Sequence, residues 1–180
     1  MTEFPILGTE PIAVELANTR YGDEQADLID TPRLVDEWFA AIGQPARHDA
    51  EQAREVRALR DALHALFAAA ADGTTPEPRA VAEVNRHAAA NPPALRLDWA
   101  SDGTRRARWT AAKGGDLARI ATDAVEVLTA PGGSLARCTG PGCSMLFVRT
   151  HARRRFCHPS CGHRDRQARY YRRHHPGADR

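Results

Sequence analysis

Four cysteines, Cys138, Cys143, Cys157 and Cys161, sit late in a 180-residue chain with the spacing C-x4-C-x13-C-x3-C. Two short-spaced pairs separated by a dozen or so residues suit a tetrahedral zinc site, because each pair forms one turn that aims two sulfurs at one ion. Gly140, Pro141 and Gly142 tighten the first turn. A closed set of four sulfurs leaves no position for water, so the expected role of Zn2+ is structural. Iron in a tetrathiolate site is the rival metal, His151 or His158 could replace one cysteine, and four unconnected thiols are the plain alternative. A module of about forty residues buries too little surface to fold alone, so the ion contributes folding free energy, on the order of 10 kcal/mol or more in zinc-finger peptides.

Charge points the same way. The formal net charge of +2 conceals a division: from Arg137 onward there are 11 arginines against Asp165 and Asp179, net +9, whereas residues 1–136 carry 14 basic and 21 acidic side chains, net −7. Four thiolates on a divalent ion lower the basic end to roughly +7. An acidic body with a basic end is what a polyanion binder needs. No run approaches a membrane span and the N-terminus lacks a signal segment, so a cytoplasmic location is expected, where clustered thiols stay reduced.

Residues 164–173 read Arg-Asp-Arg-Gln-Ala-Arg-Tyr-Tyr-Arg-Arg and meet no helix breaker before Pro176. Ser160 is the expected cap, with Cys161 in the first turn where the helix dipole favours thiolate. At 3.6 residues per turn Arg166, Arg169 and Arg173 form one stripe, extended backward by Gly162, while Cys161, Arg164, Ala168 and Tyr171 face the metal. Expected phosphate contacts are Arg153, Arg154, Arg166, Arg169, Arg172 and Arg173, with Gln167 and Tyr170 reaching base edges or stacking. Arg164 and His163 are expected to support the module. The plain alternative is a solvated charged face.

The body reads as helical. An apolar stretch over 11–17 is too continuous to assign by period, and residues 22–30 read as a loop. Thr31 and Pro32 start a helix with Leu34, Val35, Trp38, Phe39 and Ile42 on one face, stopped at Gly43. A long helix over 49–71 carries Val56, Leu59, Leu63, Leu66 and Phe67, with Gly73 as its terminator. Thr75 and Pro76 begin another, ending near Asn91, Pro92 and Pro93. Residues 94–99 and 105–110 alternate around Ser101, Asp102 and Gly103, a hairpin signal. After Gly114 and Gly115, Asp116 caps a helix burying Leu117, Ile120, Ala121, Ala124, Val127 and Leu128, and Pro131, Gly132 and Gly133 close the body. Beyond Cys143, Met145 to Val148 read as a strand with 153–156 as its return, and Phe147 and Phe156 as the metal's cover. His48, His64 and His87 form no recognisable catalytic arrangement. Asn18, Thr19 and Arg20 end an apolar segment with three hydrogen-bonding groups and are the body's candidate ligand pocket.

Several runs resemble known families. Arg137-Cys138, Cys143, Leu146-Phe147-Val148, Arg154-Arg155-Phe156-Cys157 and Cys161-Gly162-His163-Arg164 look like the CGNR zinc finger, with His163 where the Cys-Gly-Asn-Arg signature has Asn. Residues 13–20 and 31–38 are similar to the ABATE domain that precedes that finger. The resemblance covers nearly the whole chain and implies a bacterial, stress-induced transcription regulator whose finger binds DNA. The resulting expectation is a mainly α fold with a small β-hairpin: a helical body over 1–133, for sensing or dimerisation, and a ββα-like four-cysteine module over 134–180. Duplex DNA is the expected partner and RNA the alternative; a small-molecule effector and a homodimer stay open. An enzyme with a pocket in the body is the least favoured reading.

Overall fold

Among the described residues of the computed structural model twelve elements follow one another: α1 (Ile12–Ala17), β1 (Arg20–Tyr21), β2 (Ala26–Asp27), α2 (Pro32–Ala41), α3 (Ala50–Asp72), α4 (Pro78–Ala89), β3 (Ala94–Trp99), β4 (Arg105–Thr110), α5 (Asp116–Thr129), β5 (Ser134–Arg137), β6 (Leu146–Arg149) and α6 (Pro159–His174). The structure describes residues 4–22, 26–90, 94–99, 101, 103–110, 115–130 and 134–174. Helices dominate, and the strands form three two-stranded antiparallel sheets, β1-β2, β3-β4 and β5-β6.

Helix α3 is the spine. Asp49 accepts hydrogen bonds from the Glu51 and Gln52 amides at 2.8 Å, while Gln52 Oε1 accepts from the Asp49 amide at 2.9 Å, a capping box that satisfies donors left open by the first turn. At the other end Gly73 takes a left-handed φ of 67°, which glycine adopts without steric penalty. Leu59, Leu63 and Phe67 are wholly buried against Leu16, Ile120 and Phe39 of the body core. Thr31 caps α2 by accepting from the Leu34 amide at 3.3 Å. The open stretch over 11–17 is a helix, with Ala13 through Ala17 all buried. Burial on every side explains why its periodicity is silent.

Several boundaries differ from expectation. Helix α4 starts at Pro78, because this second proline, rather than Pro76, occupies the first turn. Asp116 is the first residue of α5 and makes no side-chain cap; Gly115 holds the cap position. Leu128 is 37% exposed instead of buried, and Ala118 takes an inward place on that helix. Within the expected loop over 22–30, Ala26 and Asp27 pair with Tyr21 and Arg20 as a short ladder. The expected hairpin forms with Leu95 opposite Trp109 and Leu97 opposite Ala107. The turn or stop signals at Asp102, at Gly114, at 91–93, at 131–133 and at Pro176 lie outside the described residues.

The largest correction concerns the metal module. The partner of β6 is β5, which precedes the first cysteine pair, and not residues 153–156. Register decides how this hairpin is used. Leu135 pairs with Val148 and Arg137 with Leu146, whereas Ala136 pairs with Phe147. Directly opposed residues share a face and successive residues along a strand do not. Leu135, Leu146 and Val148 join the body core, and Ala136 and Phe147 join a second cluster with Cys138, Met145, Cys157 and Cys161.

Candidate metal centre and arginine helix

Four sulfurs converge from three local structures. Cys138 follows β5, Cys143 leaves the Gly140–Gly142 turn, Cys157 precedes α6, and Cys161 lies in its first turn. Their Sγ atoms all lie within 4.8 Å of one another, with Cys143 to Cys157 at 3.7 Å and Cys157 to Cys161 at 3.6 Å. A tetrahedron with zinc–sulfur bonds of about 2.3 Å has edges of about 3.8 Å, so this donor set fits zinc. The pair Cys138 and Cys143 and the pair Cys157 and Cys161 are separated by thirteen residues and share no strand, which makes their convergence a product of the fold.

Crowding sets the acid–base state of the bare thiols. Hydrogen bonds from Cys143 and Cys157 hold Cys138 well below the ordinary thiol range; the same sharing with Cys138 pushes Cys143 up to about 11 and raises Cys157. A divalent cation removes the conflict by stabilising all four thiolates at once. Backbone and side-chain donors already point at the sulfurs. The Gly140 and Cys157 amides donate to Cys138 Sγ at 3.4 Å, and Arg164 Nη2 donates to Cys161 Sγ at 3.1 Å. Such outer donors orient ligands and spread their negative charge. Arg164 thus supports the module through a ligand sulfur.

Close packing fixes one glycine. A Cβ on Gly140 would lie 2.7 Å from Cys161 Cβ, so only glycine lets the first turn approach the start of α6. The expected cap is also displaced by two residues: His158 Nδ1 accepts from the Ser160 amide at 3.2 Å, leaving Pro159 to open the helix. Phe147 is fully buried and Phe156 half-buried beside the sulfurs. Leu7 and Tyr21 cover the same cluster from the body side.

Side chains expected to bind ligand or nucleic acid divide sharply. Asn18 is spent on the hairpin: its Nδ2 donates to the Leu146 carbonyl at 2.9 Å and its Oδ1 accepts from the Leu146 amide at 2.8 Å. Thr19 Oγ1 donates to the Leu16 carbonyl at 2.7 Å and receives Arg60 Nη1 at 3.2 Å, while Arg20 pairs with Asp61 at 3.0 Å. Arg154 is held by Glu10 at 2.7 Å, donates to the Val148 and Cys157 carbonyls, and lies 4.6 Å from the Phe147 ring centre. Arg153, by contrast, is exposed.

On α6 the residues Arg166, Gln167, Arg169, Tyr170 and Arg173 line one groove of about 670 Å³. Arg172 and His163 are exposed. Arg169 reaches Asp165 at 2.7 Å, a contact made by charge and distance rather than by hydrogen-bond alignment. Tyr170 stacks on His174 at 4.1 Å. Two expectations fail on this helix. Gly162 is buried under Phe156 and does not extend the stripe. Tyr171 is 62% exposed, because α6 runs past the module and only its first turn touches the metal core.

Charge-bearing contacts distant in sequence escaped the sequence reading. Arg60 is fully buried in the middle of α3, with a two-pronged contact to Asp27 at 2.8 Å and another to Asp61 at 2.7 Å. Burial opposes the Asp27 charge, but the Arg60 hydrogen bonds and charge hold its carboxyl below the ordinary range. His48, His64 and His87 bond to Asp36, the Ala17 carbonyl and Glu83, respectively. Elsewhere, Leu66, Val81, Val84, Val125 and Leu128 line an apolar groove of about 340 Å³ between α3, α4 and α5. None of the helices described is long and apolar enough to cross a membrane.

Comparison with known families agrees with both halves of this arrangement. The model of ABATE, with the description "Putative stress-induced transcription regulator", matches residues 10–131, and that of the CGNR zinc finger matches residues 134–174. Neither description is that of an enzyme family. No curated protein matches the chain.

Proposed function

The chain belongs to the ABATE family and carries a CGNR zinc finger with its four cysteines positioned for zinc, and from that premise we propose that it is a zinc-dependent regulator that binds duplex DNA through α6. The body over 1–133 then senses a signal or brings copies together, and the module over 134–180 reads nucleic acid. Zinc, held by Cys138, Cys143, Cys157 and Cys161, supplies folding free energy and no chemistry. No catalytic role is assigned.

One observation carries the reading: exposed α6 presents Arg166, Arg169 and Arg173 around a groove, with Arg172 also exposed and Asp165 as the helix's sole carboxylate. Clustered like charges on one exposed face repel one another, and a bound polyanion relieves that repulsion. Arg166, Arg172 and Arg173 contact phosphates, and Gln167 meets base edges. Fluorescence anisotropy with labelled duplex DNA tests this. Zinc-loaded protein should bind with an affinity that falls linearly in log–log terms as salt rises, and Arg166→Ala with Arg173→Ala should weaken it at least tenfold while keeping zinc. Absence of binding at low salt would overturn the proposal.

Exposed Tyr170 and Tyr171 favour a second reading, RNA binding by stacking on unpaired bases. Competition between single-stranded RNA and duplex DNA separates the two, since stacking requires bases that are not already paired.

A further inference from the structure

The arginines of the module divide into those already neutralised and those left over. Arg137 pairs with Asp72 at 2.9 Å, Arg154 with Glu10 at 2.7 Å and Arg169 with Asp165 at 2.7 Å, and Arg164 faces Cys161. Among the described residues, the exposed side chains of Arg153, Arg155, Arg166, Arg172 and Arg173 have no carboxylate within ion-pair distance.

These leftover charges do not form one patch. Arg166 and Arg173 line the α6 groove; Arg153 and Arg155 line a second one of about 620 Å³, together with His151, His158 and Thr150. Leu7 and Thr9 of the N-terminal segment complete its wall with Phe156, Cys157 and Pro159, and no carboxylate lines it among the described residues. Arg154 sits in that wall but is committed to Glu10, which fixes the loop that carries Arg153 and Arg155.

The two grooves adjoin. Phe156 lines the second groove, and its Cδ2 lies 3.3 Å from where a Cβ on Gly162 would stand; Arg166 Nη1 of the first groove lies 3.6 Å from the same point. A single glycine therefore separates two cationic surfaces. A helix lying in the major groove, about 12 Å wide, has a sugar–phosphate strand on each side, whereas a single strand offers only one.

We propose that the groove over 150–159 is a second phosphodiester site, and that Arg153 and Arg155 grip one strand of a duplex while α6 engages the groove beside it. The inference rests on the nucleic-acid reading above and adds to it the source of duplex selectivity. Arg153 and Arg155 discriminate between double and single strands; Arg166 and Arg173 serve both.

The test compares zinc-loaded full-length protein on a duplex of about 20 base pairs and on either strand alone, across a salt series. Arg153→Ala with Arg155→Ala should weaken duplex binding about tenfold and reduce the log–log salt slope by about 1.8, two phosphate contacts at about 0.9 each. Its single-strand affinity should stay within about twofold, and its zinc content should equal that of the parent chain. Arg153→Lys with Arg155→Lys, which keeps the charge, should restore most of the slope. Equal losses on duplex and single strand, or an unchanged duplex slope, would overturn the second site while leaving α6 binding in place. If the parent protein binds neither substrate, the underlying reading falls as well.

Discussion

Two cores meet at one hairpin, and they hold together by different means. The body core is continuous apolar packing around α3, with Leu59, Leu63, Phe67, Trp38 and Phe39 wholly buried. The metal core has one fully buried large side chain, Phe147, amid four sulfurs, Ala136 and Met145. Apolar burial contributes roughly 25 cal/mol per Å², and the small cluster has too little area to stand on that alone. The body gains stability from area, the module from coordination. The β5-β6 hairpin belongs to both, one face turned to each.

Removing a sulfur should break the contrast most strongly. Cys157→Ser is expected to abolish stoichiometric zinc binding and to unfold the module, with a loss approaching the ~10 kcal/mol or more that zinc contributes to small fingers. Body helicity by circular dichroism should persist. Collapse of the whole chain would show that the two cores are not separable.

The reverse experiment lies in the body. Asp27→Ala removes the two-pronged partner of the fully buried Arg60, which keeps only Asp61 as a carboxylate, and should cost about 1.5–3 kcal/mol in chemical unfolding, with zinc content unchanged. Because the Asp27 carboxyl is held below its ordinary value in the folded state, its contribution is complete above an unfolded pKa of about 3.9. That contribution is lost as pH falls through the lower folded value, so the parent and Asp27→Ala stabilities should converge in acid.

Asn18→Ala is the finest probe. It strands both the amide and the carbonyl of Leu146 in a buried place, at a cost of about 2 kcal/mol. Since Leu146 sits on the shared hairpin, calorimetry should show a lower body melting temperature and metal competition a weaker zinc affinity. A shift in one alone would mean that the hairpin does not couple the cores.

What the sequence discloses follows the range of the interaction. Cysteine spacing reveals the ligands because each pair is a local turn, and the helical period with its stop at Gly73 bounds α3 within a residue at each end. Helix α6 is legible as a helix, yet how far it outruns the module is not, so Tyr171 is misplaced inward. Strand β5 hides because Leu135 is its one large apolar residue, whereas the equally short β6 announces itself with Leu146, Phe147 and Val148. Asn18, Glu10 and Arg60 reach partners 128, 144 and 33 residues away, and nothing local marks an Asn that completes a strand's hydrogen bonds. Polar residues at the end of an apolar run look alike whether they await a ligand or another part of the chain.

The two-sided hairpin bears on how such a finger could be moved between proteins. Excised at residue 134, the module would carry Leu135, Leu146 and Val148 into water as an adhesive strip, and would leave the Asn18 side chain and Glu10 behind without their mates. A graft would need a recipient offering an Asn and a carboxylate at matching places, or polar replacements at those three positions. In recombination terms the finger is a tenant bound to its landlord: the transferable unit is residues 10–18 together with 134–174, two segments far apart in the gene.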